Sequence, residues 1–354
     1  MAIKKSAAIA MGSALVLSLM PLPYVIEYPG PSYNTLGEVQ GHQLITIDGH
    51  KTQATNGHLD MVTVRVRGGP GSYVNAVDVV AAWLNPNWTV NPTISFYPTS
   101  YSSDDAEKEA QADMASSQDM AFAAALGNLG IPYQQNITVS DFPTKSPSIG
   151  KIQKGDRLLK VNGIPVTSIK QFRGELAKMP AGKPAAVTVM RAGHEVTEQI
   201  VPIREEGEDP LIGILATVEF IFPFKAKIQI DNVGGPSAGM MFALGIIDKI
   251  GNDNLTNGKY IMGTGVVTQD GDVVPIGGIR QKMITAKRNG AGLFLAPSGN
   301  CNEVVGHIPE GLKVVKVSTL AEAKNAVKAY ADNNDTSKLP VCAVTDAEKA
   351  NEEQ

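Results

Sequence analysis

Apolar and polar positions alternate along Val62-Thr63-Val64-Arg65-Val66, the period of a strand with one buried face. Gly68-Gly69-Pro70-Gly71 then breaks the chain, and Thr93-Ile94-Ser95-Phe96-Tyr97 reads as another short strand. Ser102-Ser103-Asp104-Asp105 is a helix cap with acids in the first turn. The pattern predicts a helix from about Ala106 to Leu126 that stops at Gly127, with Met114, Ala121, Phe122 and Ala125 on its core face. From about Gly130 to Ile203 the pattern becomes β-rich: Gly155-Asp156 turns into a strand, Asn162-Gly163 is a hairpin signal, and Ala186 to Met190 begins a further strand. Ile169, Phe172 and Leu176 mark one helix face within this unit. From about Leu211 to Ala331, strand and helix patterns alternate as in an α/β unit. Beyond Asp332 the chain turns polar, and Asp346 to Gln354 is expected to be disordered.

The N-terminus differs from the rest. Lys4 and Lys5 precede an uncharged stretch from Ser6 to Ile26, about the length that crosses a bilayer. The flanking lysines place its N-terminal side in the cytoplasm, and Tyr24, Tyr28 and Tyr33 fall where an interfacial aromatic belt would lie. The stretch is therefore expected to be a single-pass anchor, with a cleaved export signal as the alternative. Either way, everything after about Glu27 lies outside the membrane. Outside the cytoplasm Cys301 and Cys342 can pair, and two separate thiols are the other reading.

Composition narrows the function. Charged residues make up 19% and hydrophobic residues 43% of 354 positions, which suits a globular chain of about two domains. A net charge of −4 argues against nucleic acid as a partner. The five histidines and two cysteines show no metal-ligand spacing, so neither a metal nor another cofactor is expected.

The chemistry lies in two phrases. Gly234-Gly235-Pro236-Ser237-Ala238-Gly239 opens an apolar helix after a strand at Lys227-Ile228-Gln229-Ile230. Ser237 is placed near a helix N-terminus, where free N–H groups favour negative charge. Such a serine is either a plain cap or a nucleophile, and a nucleophile needs an adjacent base. The second phrase, Val274-Pro275-Ile276-Gly277-Gly278-Ile279-Arg280-Gln281-Lys282, leads into a helix expected to end near Asn289. Ile279, Met283, Ala286 and Gly290 share its apolar face, with Lys282 and Lys287 bordering that face on opposite sides. Periodicity does not choose between the two lysines. Lys282, in the first turn, is where the helix dipole and burial would lower an amine's pKa.

Gly155-Asp156-Arg157-Leu158-Leu159-Lys160-Val161-Asn162-Gly163 resembles the G-D-x-[IL]-L-x-V-N-G stretch of PDZ domains, which bind an extended peptide end as an added strand. No G-L-G-F-like run is visible for the carboxylate-holding loop, and a β-rich spacer is the competing reading of this unit. G-P-S-A-G followed by V-x-P-I-G-G-[IL]-x-x-K resembles the proteolytic domain of the Lon family of Ser-Lys proteases. The whole chain resembles the bacterial membrane-anchored, Lon-like proteases that contain a PDZ domain. The resemblance implies Ser237 as nucleophile, Lys282 as base, and Thr264 of Met262-Gly263-Thr264-Gly265 as the hydroxyl that helps hold the lysine. It implies a homo-oligomeric ring, often a hexamer in this family. Many Lon proteases carry an acid three residues before the serine, where this chain has Gly234. No G-x-x-x-x-G-K-[ST] motif occurs, so the ATP-driven unfolding module is not expected.

These readings give an α/β (α+β) Lon-type domain with an inserted β-rich PDZ domain and one N-terminal transmembrane helix. The expected boundaries are 1–27 for the cytoplasmic stub and anchor, and 28–126 for a linker and the first part of the Lon-like domain. The PDZ domain is expected at 127–206, the catalytic part at 207–331 and a tail at 332–354. The expected function is a membrane-tethered, ATP-independent serine endopeptidase acting outside the cytoplasm on flexible or unfolded protein segments. Its partners would be protein or peptide substrates and the lipid bilayer. Backbone at Gly235, Pro236 and Ala238 is expected to stabilise the oxyanion. The alternatives are a catalytically silent PDZ adaptor on the same fold and an amidase of the cell envelope.

Overall fold

A computed structural model describes residues 19–98, 101–204, 209–333 and 336–343. The chain divides into two compact units, one from the described N-terminus to Ile131 and from Phe224 onward, the other Pro132–Pro223.

The larger unit begins with strands β1 (Pro21–Leu22) and β2 (Tyr24–Asn34). Short strands β3 (Glu38–Val39), β4 (His42–Gln43) and β5 (Ile45–Asp48) follow. Then come β6 (His58–Gly68) and β7 (Val74–Asn75). Asn75 caps helix α1 (Ala76–Trp83) through a capping box with Asp78. Strand β8 (Thr89–Pro92) follows, then a 3₁₀ turn at Thr93–Ser95 where a strand was predicted. The strand lies four residues earlier because Tyr24 to Glu27 of β2 pair with Thr89 to Pro92. Helix α2 (Ser103–Leu129) starts at the predicted cap, Ser102, but runs through Gly127 to Gly130. Gly130, at φ +70°, takes the left-handed position that ends the helix.

The predicted anchor does not extend to residue 27. Residues 1–18 lie outside the described residues, but from Pro21 the chain is in sheet, with Val25 and Ile26 buried. Tyr24 and Tyr28 pack against a small core of Ile26, Val74, Val79 and Ala82 beneath α1, rather than forming an aromatic belt. Among the described residues no helix is long and apolar enough to cross a membrane.

The second unit holds β9 (Gln134–Asp141), β10 (Arg157–Val161), β11 (Ile164–Pro165), helix α3 (Ile169–Ala177), β12 (Ala185–Arg191), β13 (His194–Ile200) and β14 (Leu215–Ile221). The sheet order is β13-β12-β10-β9-β14, around a core that includes Ile137, Leu158, Val161, Phe172, Leu176 and Val187. The expected boundary at 206 fell inside this unit because β14, which pairs with β9 from Ile221 to Leu215, returns to complete the sheet. Asp156 follows the Gly155 turn and is clamped by Arg191, whose guanidinium holds the carboxyl below its usual pKa range despite the opposing effect of burial.

The chain re-enters the larger unit with β15 (Lys225–Ile228), paired with β5, and helix α4 (Gly239–Ile250), nearly all of which is buried. Next come β16 (Tyr260–Gly263), β17 (Val266–Val267), β18 (Val273–Val274) and helix α5 (Ile279–Arg288). Strand β19 (Leu293–Pro297), the short helix α6 (Cys301–Val304), β20 (Lys313–Val317) and helix α7 (Leu320–Asn333) complete it. The main sheet runs β20-β19-β16-β6-β2-β8: the first four strands are parallel, and β2 and β8 run antiparallel to their neighbours. All five residues of β19 are buried, as expected for a strand covered on both faces. Ile279, Met283 and Ala286 of α5 pack into a core with Met262, Phe294 and Val314.

The polar tail is shorter than expected. Residues 336–343 return to the domain, where Pro340 O accepts from Lys316 N at 2.9 Å and Cys342 is disulfide-bonded to Cys301. The segment predicted to be disordered, 346–354, lies outside the described residues. The bridge closes a loop with a sequence separation of 41. A Cys342→Ser chain should be less stable by about 2–4 kcal/mol in urea melts. Equal midpoints with and without the bridge would show that it adds nothing to stability.

Candidate active site

The loop between β15 and α4 carries Ser237 one residue before the helix cap, Ala238. The loop is held on both sides. Gly235 N donates to Ala110 O of α2 at 2.9 Å, and Ser117 Oγ of α2 donates to Pro236 O at 3.0 Å. Ser237 O accepts from Gly265 N at 2.8 Å and from Thr264 Oγ1 at 2.9 Å. Helix α2 also explains Gly234, because a Cβ there would lie 2.7 Å from Ala110 Cβ. An acidic side chain three residues before the serine would collide with this packing.

Lys282 reaches the loop from α5. That helix starts at Gly278, whose φ of +68° places it in the left-handed region that suits glycine. Lys282 is only 3% exposed, and its Nζ lies 2.9 Å from Ser237 Oγ and 3.0 Å from Thr264 Oγ1. Burial removes water from the amine and lowers its pKa to about 7, while the Glu27 carboxylate opposes this. Lys287, which the periodicity left equivalent, is exposed. The structure thus brings Ser237, Lys282 and Thr264 together. Because the Thr264 hydroxyl donates to Ser237 O, its lone pair is left to accept from the lysine. A neutral Lys282 can then offer its own lone pair to the serine hydroxyl.

The predicted oxyanion groups need correction. Gly235 spends its N–H on Ala110, and Pro236 has no N–H to give. Among the described residues no hydrogen bond engages the amides of Ser237 or Ala238, so these are the free donors at the end of α4.

Sequence reasoning also missed Glu27. It is buried on β2 and shares the cleft of about 420 Å³ with Ser237, Lys282, Tyr33, Arg65 and Met114. Its Oε2 accepts from Asn91 Nδ2 at 3.0 Å. Burial, and secondarily Glu303, raise its pKa, while Lys282 lowers it. The signal was a lone acid at the end of an uncharged run, which a membrane reading takes for the first wet residue.

Residues 231–329 match the family described as the Lon protease (S16) C-terminal proteolytic domain. The chain carries a Lon-type proteolytic domain. The chain is 36% identical over 91 residues to a Lon protease of Lachnoclostridium phytofermentans, covering 25% of this chain and 11% of that protein. It is 31% identical over 100 residues to a Lon protease of Mycoplasma mycoides, covering 28% of this chain and 12% of the relative. The chain thus spans about an eighth of the length of these Lon proteases. Residues 114–201 match the PDZ domain family. The crystal structure of the PDZ domain of an SdrC-like protein from Listeria innocua is 18% identical, with a TM-score of 0.22, covering 23% of this chain and 92% of that one. The PDZ match begins within α2, whereas the compact second unit begins at Pro132.

The PDZ unit has a groove of its own, about 390 Å³, lined by Ile169, Phe172 and Leu176 of α3 and by Ile212, Ile214 and Ala216. The loop Leu211-Ile212-Gly213-Ile214 runs directly into β14. Ser148 Oγ donates to Ile212 O and Ser146 Oγ to Gly213 O, which fixes the loop. Among the described residues no hydrogen bond engages the amides of Ile212, Gly213 and Ile214, and the edge of β14 away from β9 is unpaired.

Carrying a buried amine costs the Lon-type domain stability. With its pKa lowered in the folded state, the unfolded chain binds more protons between about pH 7 and 10.5, so stability should rise with pH across that window. At pH 8 the cost is roughly 3 kcal/mol at about 1.4 kcal/mol per pKa unit. Lys282→Met should therefore be more stable than the parent at pH 8, less the two lost hydrogen bonds, with the gap closing towards pH 10. Urea midpoints at the two pH values check this. A Met variant with no advantage at pH 8 would mean that the amine is not desolvated.

Proposed function

We propose that the chain is an ATP-independent serine endopeptidase that cleaves flexible or unfolded protein segments through a Ser237–Lys282 dyad. The observation that carries this reading is the 2.9 Å contact between Lys282 Nζ and Ser237 Oγ inside a cleft, with the amine's pKa near neutrality. In this scheme Ser237 Oγ attacks the scissile carbonyl carbon as Lys282 Nζ takes its proton. The developing oxyanion is met by the amides of Ser237 and Ala238. The tetrahedral adduct collapses, the C–N bond breaks, and the lysine ammonium returns a proton to the leaving amine. Lys282, neutral again, takes a proton from water as it attacks the acyl-serine ester; the carbonyl carbon–Oγ bond then breaks, the ammonium returns the proton to Ser237 Oγ, and the acid product leaves. Thr264 is a positioning residue that ties the amine to the serine's own carbonyl. ATP-independence is supported by the lack of a Walker A motif in this sequence.

The PDZ unit is proposed to capture a peptide C-terminus, added as a strand to the open edge of β14 with its carboxylate at the amides of residues 212–214. Assembly into a homo-oligomer, a hexamer being the proposed form, is supported by kinship with the Lon family. Action outside the cytoplasm is supported by the Cys301–Cys342 bridge, which suits an oxidising compartment. With β1 starting at Pro21, the uncharged stretch ahead of the sheet shortens to residues 6–20, less than the roughly 20 a spanning helix needs. We assign this stretch to export and to tethering the chain at the membrane surface.

The purified full chain should cut casein without ATP, and Ser237→Ala and Lys282→Ala should each lose about 10³-fold or more. Activity that survives either change breaks the dyad, and inactivity of the parent together with peptide binding by the PDZ groove would favour a silent adaptor. The rate should rise with pH through about 7 as Lys282 loses its proton. In Glu27→Gln this acid limb should shift to lower pH, because the carboxylate that favours the ammonium is gone. An unmoved limb would remove Glu27 from the tuning of the base.

A further inference from the structure

Helix α1 presents one apolar face to solvent. Val77 is 58% exposed, Val80 50%, Trp83 69% and Leu84, just past the last turn, 81%. The three- and four-residue spacing puts these side chains on one stripe, while Val79 and Ala82 face the core. A contiguous apolar stripe of this kind marks a surface with a partner.

Two observations on different elements point to the partner. The first is where the chain enters the fold. Strand β1 pairs with β7 through Pro21↔Asn75 and Leu22↔Val74, and Asn75 is the cap of α1. Residues 6–18, which include no charged side chain, therefore join the fold at the foot of this helix, through the exposed Leu19 and Met20. An eight-residue helix is about 12 Å long, so the whole stripe lies close to that entry. The second is charge. Beyond the other end of α1, Trp88 and its neighbours form one wall of a cleft of about 480 Å³ that also presents Arg280, Lys287, Arg288 and His307. Among the described residues no carboxylate lines this cleft, and the Nε of Arg280 is buried without a hydrogen-bond partner.

We propose that α1 and this cationic cleft form a docking surface for an anionic lipid bilayer, the helix immersing Val77, Val80, Trp83 and Leu84 at the headgroup level and the cleft receiving a lipid phosphate. The proposal rests on the tethering reading above and extends it from the N-terminal stretch to the folded domain. Tryptophan is the side chain favoured at that depth, and an amphipathic helix lying in the interface needs no spanning length. Basic groups near an anionic leaflet add attraction that salt screens.

The chain has two tryptophans, Trp83 and Trp88, so a Trp88→Phe chain reports on α1 alone. The full chain would be reconstituted into vesicles of phosphatidylcholine and phosphatidylglycerol with brominated acyl chains, with flotation measured alongside tryptophan emission. Docking predicts a blue-shifted emission quenched roughly two-fold by the bromines, as expected for an interfacial ring. Leu84→Glu should relieve the quenching, and Lys287→Gln with Arg288→Gln should weaken it in anionic vesicles. A chain that floats while Trp83 stays open to aqueous iodide overturns the docking surface and leaves the tether standing. Trp83 shielded from both iodide and bromolipid assigns the face to a second copy of the chain and also overturns the proposal. A chain that does not float overturns tether and dock together, and equal quenching in neutral vesicles removes the cleft from the surface.

Discussion

The site depends on keeping one primary amine away from water. Lys282 is 3% exposed, and among the described residues its nitrogen hydrogen-bonds to two hydroxyls. That arrangement opposes folding, because a charged amine loses hydration that two neutral oxygens do not replace. The same penalty lowers the amine's pKa to about 7, so that near neutral pH it is free of a proton and able to take one. Stability and reactivity are therefore set against each other at a single atom. The remaining architecture serves to hold that atom and the serine in register.

Holding them requires elements that are distant in sequence. The serine loop is fixed from one side by α2 and from the other by Gly265 and Thr264, just after β16. The lysine arrives on α5, and the acid that opposes its loss of a proton, Glu27, on β2. The serine's own carbonyl is the common point: it binds the backbone of residue 265 and the hydroxyl that also meets the lysine. A shift of the serine loop therefore drags on the group that positions the base, so nucleophile and base move together.

What could be read from the chain divides along physical lines. Ser237 and Lys282 were picked out by two phrases read together, and Thr264 only by resemblance to the Lon family; the fold brings the three side chains within hydrogen-bond distance. Choosing Lys282 over Lys287 needed the dipole argument as well as periodicity, and the fold separates them by burial. Of the expected backbone donors at the serine, Ala238 keeps a free N–H, while Gly235 does not, because a sequence does not say which N–H groups are already spent and Gly235 spends its own on α2. Glu27 and the strand around it were hidden by the uncharged run before them: a buried central strand and a membrane segment both avoid charge. The extension of the second unit past residue 206 was missed because a returning edge strand carries no local signal of which sheet it joins.

The disulfide has a consequence beyond stability. Cys301 and Cys342 bracket α6, β20, α7 and the chain between them, so any backbone cut within that bracket leaves both fragments covalently joined. A nick between the cysteines therefore changes the gel pattern only after a reductant is added. The cross-link thus keeps the stretch from Cys301 to Cys342 attached to the rest of the domain after a cut within it, for as long as the surroundings stay oxidising.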